Sequence, residues 1–217
     1  MKKKLLILDF DGTIGDTNRI ITNTMQATLT ELGLEMHSRE ECSKTIGLPL
    51  KDCFLSLMPM DDDMADRCAS VYRCIFSASH ANCDVPVFPK VIETLRKVHN
   101  QGLQISLASS RSSKSLREFV DEMQLNDYIS FVLGAEDVVN AKPNAEPVIK
   151  TLAHYNTLPS EALVVGDMNY DILMGKNAGC MTCGVTYGNG TKEELELAGA
   201  DYIIDDFSKL VTLLGSK

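Results

Sequence analysis

Four acids, two serines and a lysine stand near the ends of short apolar runs in this 217-residue chain. Asp9-Phe10-Asp11-Gly12-Thr13 follows Leu5-Leu6-Ile7-Leu8 directly. A buried strand running into two carboxylates is unusual, because an unpaired buried charge is costly. In extended backbone, residues i and i+2 point the same way, so Asp9 and Asp11 both project from the carboxyl end of the strand, where open α/β sheets bind ligands. Gly12 lets the chain turn sharply, and the Thr13 N–H is then able to face an anion. Further along, Leu107-Ala108 leads into Ser109 and Ser110 beside Arg111, Lys142 precedes Pro143, and Val164-Val165-Gly166 leads into Asp167 with Asp171 four residues on. Alone, each piece has a bland reading: a capping acid, a helix-cap serine, a solvated lysine. On one sheet edge they form a set. Clustered carboxylates repel and need a cation. All-oxygen ligands with a phosphate as co-ligand favour Mg²⁺. The chemistry that fits is phosphoryl transfer, in which metal and lysine offset charge on the phosphoryl oxygens. One carboxylate attacks to form an aspartyl-phosphate, and a second protonates the leaving oxygen and later deprotonates water.

These residues need a scaffold. From about Asp84 onward, short apolar runs alternate with helical patterns. Strands are expected at 103–108, 131–133, 162–165, 181–186 and 202–204, with helices at 112–123, 146–155 and 169–179 between them. Thr191-x-x-Glu194 is a capping-box pattern before a short helix. Alternation of this kind means a parallel sheet covered on both faces. Lys4 to Leu8, nearly all apolar, belongs to it as a strand buried on both sides. Between Asp16 and Cys83 the texture changes. Ile21, Met25, Leu29 and Leu32 mark one amphipathic helix that Gly33 stops. Ala65, Cys68, Tyr72, Ile75 and Ser79 mark a second after Asp61-Asp62-Asp63, and Ser38-x-x-Glu41 is another capping box. No strand is expected there. The expected division is a catalytic core of residues 1–15 and 85–217 and a helical cap of 16–84, with hinges near Gly15-Asp16 and Asp84-Pro86. Pro89 suits the first turn of a helix reaching Gly102, and Pro143 suits the start of the helix after Lys142.

Composition sets limits. Hydrophobic residues are 44% and charged residues 24%, ordinary for a folded domain. A net charge of −9, with no basic run longer than Lys2-Lys3-Lys4, argues against a nucleic-acid polymer as ligand. The apolar run after those lysines stops at Asp9, too short for a secretory signal, and no stretch suits a membrane span. Seven scattered cysteines suggest reduced, mostly buried thiols and a cytoplasmic protein; a monomer or homodimer is expected. Cys180-x-x-Cys183 is a lone pair with no second half, so packing is favoured over zinc. The four histidines are read as structural or exposed. Met58, Met60 and Met64 are read as packing or as a lining of the cap face.

The ordered set Asp9-x-Asp11-Gly12-Thr13, Ser109, Lys142-Pro143 and Gly166-Asp167-x-x-x-Asp171 resembles the haloacid dehalogenase superfamily, in particular its phosphoglycolate-phosphatase-like group with a helical cap. The resemblance covers essentially the whole chain. It implies a Rossmann-like, three-layer, doubly wound α/β core with a small all-helical cap inserted after the first strand. It implies Asp9 as nucleophile and metal ligand, and Asp11 as general acid/base that also lends the metal its backbone carbonyl. Ser109 and Lys142 would hold the phosphoryl group, with Gly12, Thr13, Ser110, Arg111 and Lys51 as further phosphate or substrate contacts. Asp167 would bind Mg²⁺ directly and Asp171 would support it. Asp11 also separates this chain from dehalogenase members, which lack the second acid. Sugar phosphomutase relatives usually carry an arginine three residues after the cap glycine equivalent to Gly47; here Leu50 stands there, with Lys51 next. The expected activity is therefore Mg²⁺-dependent hydrolysis of a small phosphorylated metabolite. Phosphoglycolate, pyrophosphate, a nucleoside monophosphate and a sugar phosphate are the candidates, and a phosphomutase is the alternative. A response-regulator-like module and a catalytically silent binding protein fit less well.

Overall fold

The structure, a computed structural model, describes residues 3–80 and 85–215. Lys2, Cys83 and the expected hinge residue Asp84 lie outside the described residues. The chain runs through β1 (Leu5–Leu8), then four helices, α1 (Asn18–Glu31), α2 (Arg39–Ser43), α3 (Leu50–Leu57) and α4 (Asp62–His80). It continues through α5 (Val91–Asn100), β2 (Gln104–Ala108), α6 (Ser113–Glu122), β3 (Ile129–Leu133) and α7 (Glu146–His154). It closes with β4 (Ala162–Gly166), α8 (Asn169–Asn177), β5 (Met181–Val185), α9 (Lys192–Leu197), β6 (Tyr202–Ile204) and α10 (Lys209–Gly215).

The six strands form one parallel sheet in the order β3-β2-β1-β4-β5-β6. Alternation along the central strands divides the core into two layers. Leu6 and Leu8 of β1 and Leu163 and Val165 of β4 join the large cluster with Val91, Leu95, Phe119 and Leu210. Leu5, Ile7, Ala162 and Val164 face the other way, onto Val148, Leu152 and Met174 of α7 and α8. A strand apolar at every position is what burial on both faces demands. Cys180 and Cys183 fall on opposite faces, so the Cys-x-x-Cys spacing brings no pair together.

The helices α1 to α4 pack on one another, with Met25, Leu29, Phe54, Cys68, Tyr72 and Phe76 buried among them. Their apolar interior is continuous with the sheet face that carries Leu6 and Leu8. The two chain passages leading in and out run side by side: Asp16 N–H donates to Pro86 O at 2.8 Å, and Phe88 N–H donates to Ile14 O at 2.9 Å. Both capping boxes form, at Ser38/Glu41 and at Thr191/Glu194.

Three details depart from the sequence reading. The helix expected from Pro89 begins at Val91, because Lys90 sits in left-handed backbone at φ 64° and separates the proline from the helix. Pro143 does not start a helix either: α7 begins at Glu146, with Pro147 in its first turn, and Lys142-Pro143 lies in the turn before it. Helix α3 was not expected at all, although Leu50, Cys53, Phe54 and Leu57 carry its spacing and Pro49 precedes it.

Candidate active site

The sheet reverses its direction of growth between β1 and β4, the place where doubly wound sheets open a crevice beyond their carboxyl ends. Asp9 and Asp167 each follow one of these strands, and Asp9 N–H still donates to Val165 O at 2.9 Å. Asp171 reaches the same point from the first turn of α8, where its Oδ2 accepts the Met168 N–H at 3.0 Å. The three buried carboxylates each present an oxygen such that these oxygens lie within 4.8 Å of one another. Lys142 reaches the cluster from the turn before α7. Its Nζ donates to Asp9 Oδ1 at 2.5 Å and to Asp171 Oδ1 at 2.6 Å.

Asp167 is fully buried and held on both oxygens. Thr13 Oγ1 donates to Oδ1 at 3.1 Å, and the Asn189 N–H and Nδ2 donate to Oδ2 at 2.7 and 2.9 Å. Gly12 lies against this carboxylate at φ +84°, and a Cβ there would fall 2.1 Å from Asp167 Oδ2, so only glycine fits. A Cβ at Gly166 would fall 2.2 Å from Asp171 Cγ, which closes that position too.

Burial dominates the electrostatics. It pushes the Asp9 carboxyl well above the usual range; Lys142 opposes this, while Asp171, Asp167 and Asp11 add to it. Burial, then Asp171, raises Asp167 to about 7, against the hydrogen bonds it accepts. Burial also works against the charge on Lys142, but Asp171 and Asp9 outweigh it and the ammonium is held above its ordinary value. One buried lysine facing three carboxylates is an environment that a divalent cation would complete. All the donors are hard oxygens, which fits Mg²⁺, and Asp9, Asp167 and Asp171 are the side chains placed to hold it.

The remaining expected residues divide. Asp11 lies in the same region but is paired with Arg111 through two hydrogen bonds. Ser109 directly follows β2 and is buried, and its Oγ accepts the Arg111 N–H at 3.3 Å. Ser110 turns to the inserted helices, its Oγ donating to Gly47 O at 2.6 Å. Lys51 is not gathered in; it pairs with Asp62 and Asp66 at 3.2 and 3.0 Å, bridging α3 to α4. Three neighbours were missed. Asn189 grips Asp167, Tyr187 Oη donates to Thr13 O at 2.9 Å, and Asn18 Nδ2 donates to both Asn189 Oδ1 and Ser43 Oγ at 2.7 Å. A signal existed for Asn189: it follows the buried strand β5 at the same sheet edge, between two glycines.

Comparison with known proteins agrees with this architecture. Residues 6–185 match the haloacid dehalogenase-like hydrolase family. The pyrophosphatase PpaX of Anoxybacillus flavithermus is 30% identical over 215 residues, covering 99% of this chain and 98% of the relative. The protein named probable phosphatase IndB of Dickeya dadantii is 32% identical over 213 residues, covering 96% and 92%. A crystal structure from Bacteroides fragilis, assigned to the haloacid dehalogenase-like hydrolases, superposes with a TM-score of 0.91 at 26% identity, covering 96% of this chain and 100% of that one. The chain thus belongs to the haloacid dehalogenase-like hydrolases, and among them it is a phosphatase.

Proposed function

We propose that the chain is a Mg²⁺-dependent phosphatase of small phosphorylated metabolites, with Asp9 as its nucleophile. The observation that carries this is the buried Lys142 shared by Asp9 and Asp171 beside Asp167. An Asp9 oxygen bonds to phosphorus while the bond from phosphorus to the leaving oxygen breaks. That oxygen keeps the electron pair and takes a proton from Asp11. Water then attacks the phospho-aspartate and passes a proton to Asp11. The bond from Asp9 oxygen to phosphorus breaks, restoring the carboxylate and releasing inorganic phosphate. Lys142 and Ser109 hold the phosphoryl oxygens, and Lys142 keeps Asp9 compatible with an approaching anion. Mg²⁺ bound by Asp9, Asp167 and Asp171 would neutralise phosphoryl charge. Residues 16–84 act as a cap that shields the site from water and selects the substrate. The paired passages at Asp16 and Pro86 support these bounds.

The names of the curated relatives favour pyrophosphate as the first substrate to assay, with phosphoglycolate, a candidate from the sequence, second. A sugar phosphomutase is the alternative; isomer formation without phosphate release would select it. The free cysteines, mostly buried, fit a reducing compartment such as the cytoplasm. The test is Asp9→Asn assayed on p-nitrophenyl phosphate with Mg²⁺. Turnover is expected to fall by orders of magnitude while the fold, followed by circular dichroism, is kept. Near-normal turnover would remove the covalent mechanism.

A further inference from the structure

Asp11 is assigned above to serve the leaving oxygen, yet both of its oxygens are engaged elsewhere. Arg111 Nε donates to Oδ2 at 3.1 Å and Nη2 donates to Oδ1 at 2.7 Å, while Nη1 donates to Ser115 Oγ at 3.2 Å. The two side chains are only 9% and 12% exposed. The guanidinium carbon lies 4.8 Å from the ring centre of Phe76, 5.0 Å from Phe119 and 6.0 Å from Phe10. Phe10 and Phe119 belong to the core, and Phe76 is on α4 of the insert. The rings continue as a ladder, Phe54–Tyr72–Phe76–His80–Phe119–Phe10, with successive centres 6.2, 5.7, 5.8, 4.5 and 4.9 Å apart. The fork therefore sits at the seam where cap meets core.

A guanidinium fork accepts a carboxylate or a phosphoryl group in the same two-point geometry. Moving Asp11 away without a replacement would leave a buried, unpaired cation, which is the costly half of any buried ion pair. Exchanging one anion for another avoids that cost. We propose that Arg111 is a positioning residue that parks Asp11 as a carboxylate between turnovers, and that an anionic substituent on the leaving group of the substrate takes over the fork and releases Asp11, which takes up from water the proton it then gives the leaving oxygen. The inference rests on the phosphatase reading and narrows its substrate class to phosphate esters or anhydrides whose leaving group carries its own negative charge. A neutral leaving group binds without displacing Asp11 and turns over slowly.

The test compares ethyl phosphate with phosphoglycolate, which adds a carboxylate, and p-nitrophenyl phosphate, whose leaving group departs without needing a proton. In the unmodified enzyme with Mg²⁺, kcat for phosphoglycolate should exceed that for ethyl phosphate by about 100-fold, the scale of general acid assistance. Arg111→Lys keeps the charge and loses the fork; it should shrink that ratio by about tenfold or more, with a smaller fall on p-nitrophenyl phosphate. Equal kcat for the first two substrates in the unmodified enzyme overturns the proposal. So does a preference confined to KM, which marks a plain anion site, or a common loss on all three substrates in the variant. If Arg111→Lys does not fold, the comparison in the unmodified enzyme still decides. Hydrolysis of p-nitrophenyl phosphate without an anion preference removes this inference alone; no hydrolysis of any of the three or of pyrophosphate removes the phosphatase reading with it.

Discussion

Among the described residues two cations, Lys142 and Arg111, are buried against carboxylates, and they are built differently. Lys142 is a point charge shared by Asp9 and Asp171, both of which belong to the core. The turn that carries it is clipped in place. The Glu146 carboxylate accepts the N–H groups of Val139 and Asn140 at 3.0 and 2.8 Å, and Asn177 Nδ2 donates to Pro143 O at 2.9 Å. Lys150 and those backbone donors hold the Glu146 carboxyl down at about 2, so the clip stays ionised across the working range. Arg111 instead spreads its charge over a planar fork, serves one carboxylate, and takes one wall from the insert. The difference separates two duties. Two carboxylates need the lysine whether or not substrate is present, whereas the arginine has one partner that a substrate anion is able to replace.

The largest expected effect follows from removing the shared cation. Lys142→Met leaves Asp9 and Asp171 facing each other in a buried site, a loss of about 3–5 kcal/mol by the scale of broken buried ion pairs. Calorimetry of the metal-free protein should show the thermal midpoint falling by roughly 2–4 °C for each kcal/mol lost. Phosphatase turnover should vanish on every substrate alike, unlike the substrate-dependent loss expected at Arg111. A midpoint unchanged from the unmodified protein would erase the distinction between the two sites.

The lysine site was readable in the sequence and the arginine site was not. Asp9, Asp167 and Ser109 each directly follow a strand whose apolar run is visible, so a one-dimensional pattern places them on one edge. Lys142 is nine residues past β3 and was carried by its place in the ordered motif set, not by periodicity. Arg111 was marked as a phosphate contact, but its pairing with Asp11 joins positions a hundred residues apart. Its Phe76 wall comes from the insert, whose folding back no local pattern records. The surroundings of Lys51 were hidden for the same reason: the sequence shows a lysine near Gly47 but not that α4 brings Asp62 and Asp66 to it. Buried strands announce themselves through two-sided apolarity; the packing of inserted helices depends on ring shapes and angles that spacing does not encode.

A smaller effect sharpens the electrostatic half of the comparison. The Asp167 carboxyl is raised from 3.8 to about 7 by burial and by Asp171, and Asp9 is raised too. Between those values the folded chain binds more protons than the unfolded one, so the stability of the metal-free protein falls as pH rises through that window. Below about 4 both states are protonated and the penalty is absent. The thermal midpoint with chelator present should therefore decline from pH 5 to pH 8, and Mg²⁺ added at pH 8 should restore it. Asp167→Asn should flatten the decline and weaken the response to Mg²⁺. A midpoint that is flat in the unmodified, metal-free protein, or a Mg²⁺ response undiminished in the variant, would show that Asp167 is not held in the way its surroundings indicate.

The smallest effect asks whether the insert touches the lysine-centred site at all. A polar line between them runs from Ser43 through Asn18 to Asn189 and so to Asp167, with Asn18 Nδ2 donating at 2.7 Å in both directions. Asn18→Ala removes both part-buried bonds, for a loss of about 1–2 kcal/mol by the scale of about 1 kcal/mol for each hydrogen bond. Asn189 keeps its own two bonds to Asp167 but loses the partner that fixes its amide. Groups that orient a metal ligand from behind typically tune affinity by about 10–100-fold, and Asn18 stands one step further out, so the Mg²⁺ concentration for half-maximal turnover should rise only a few-fold. Kinetic titration with Mg²⁺ reads this directly. An unchanged requirement would mean that the insert bears on the chemistry through the Arg111 seam and not through Asp167.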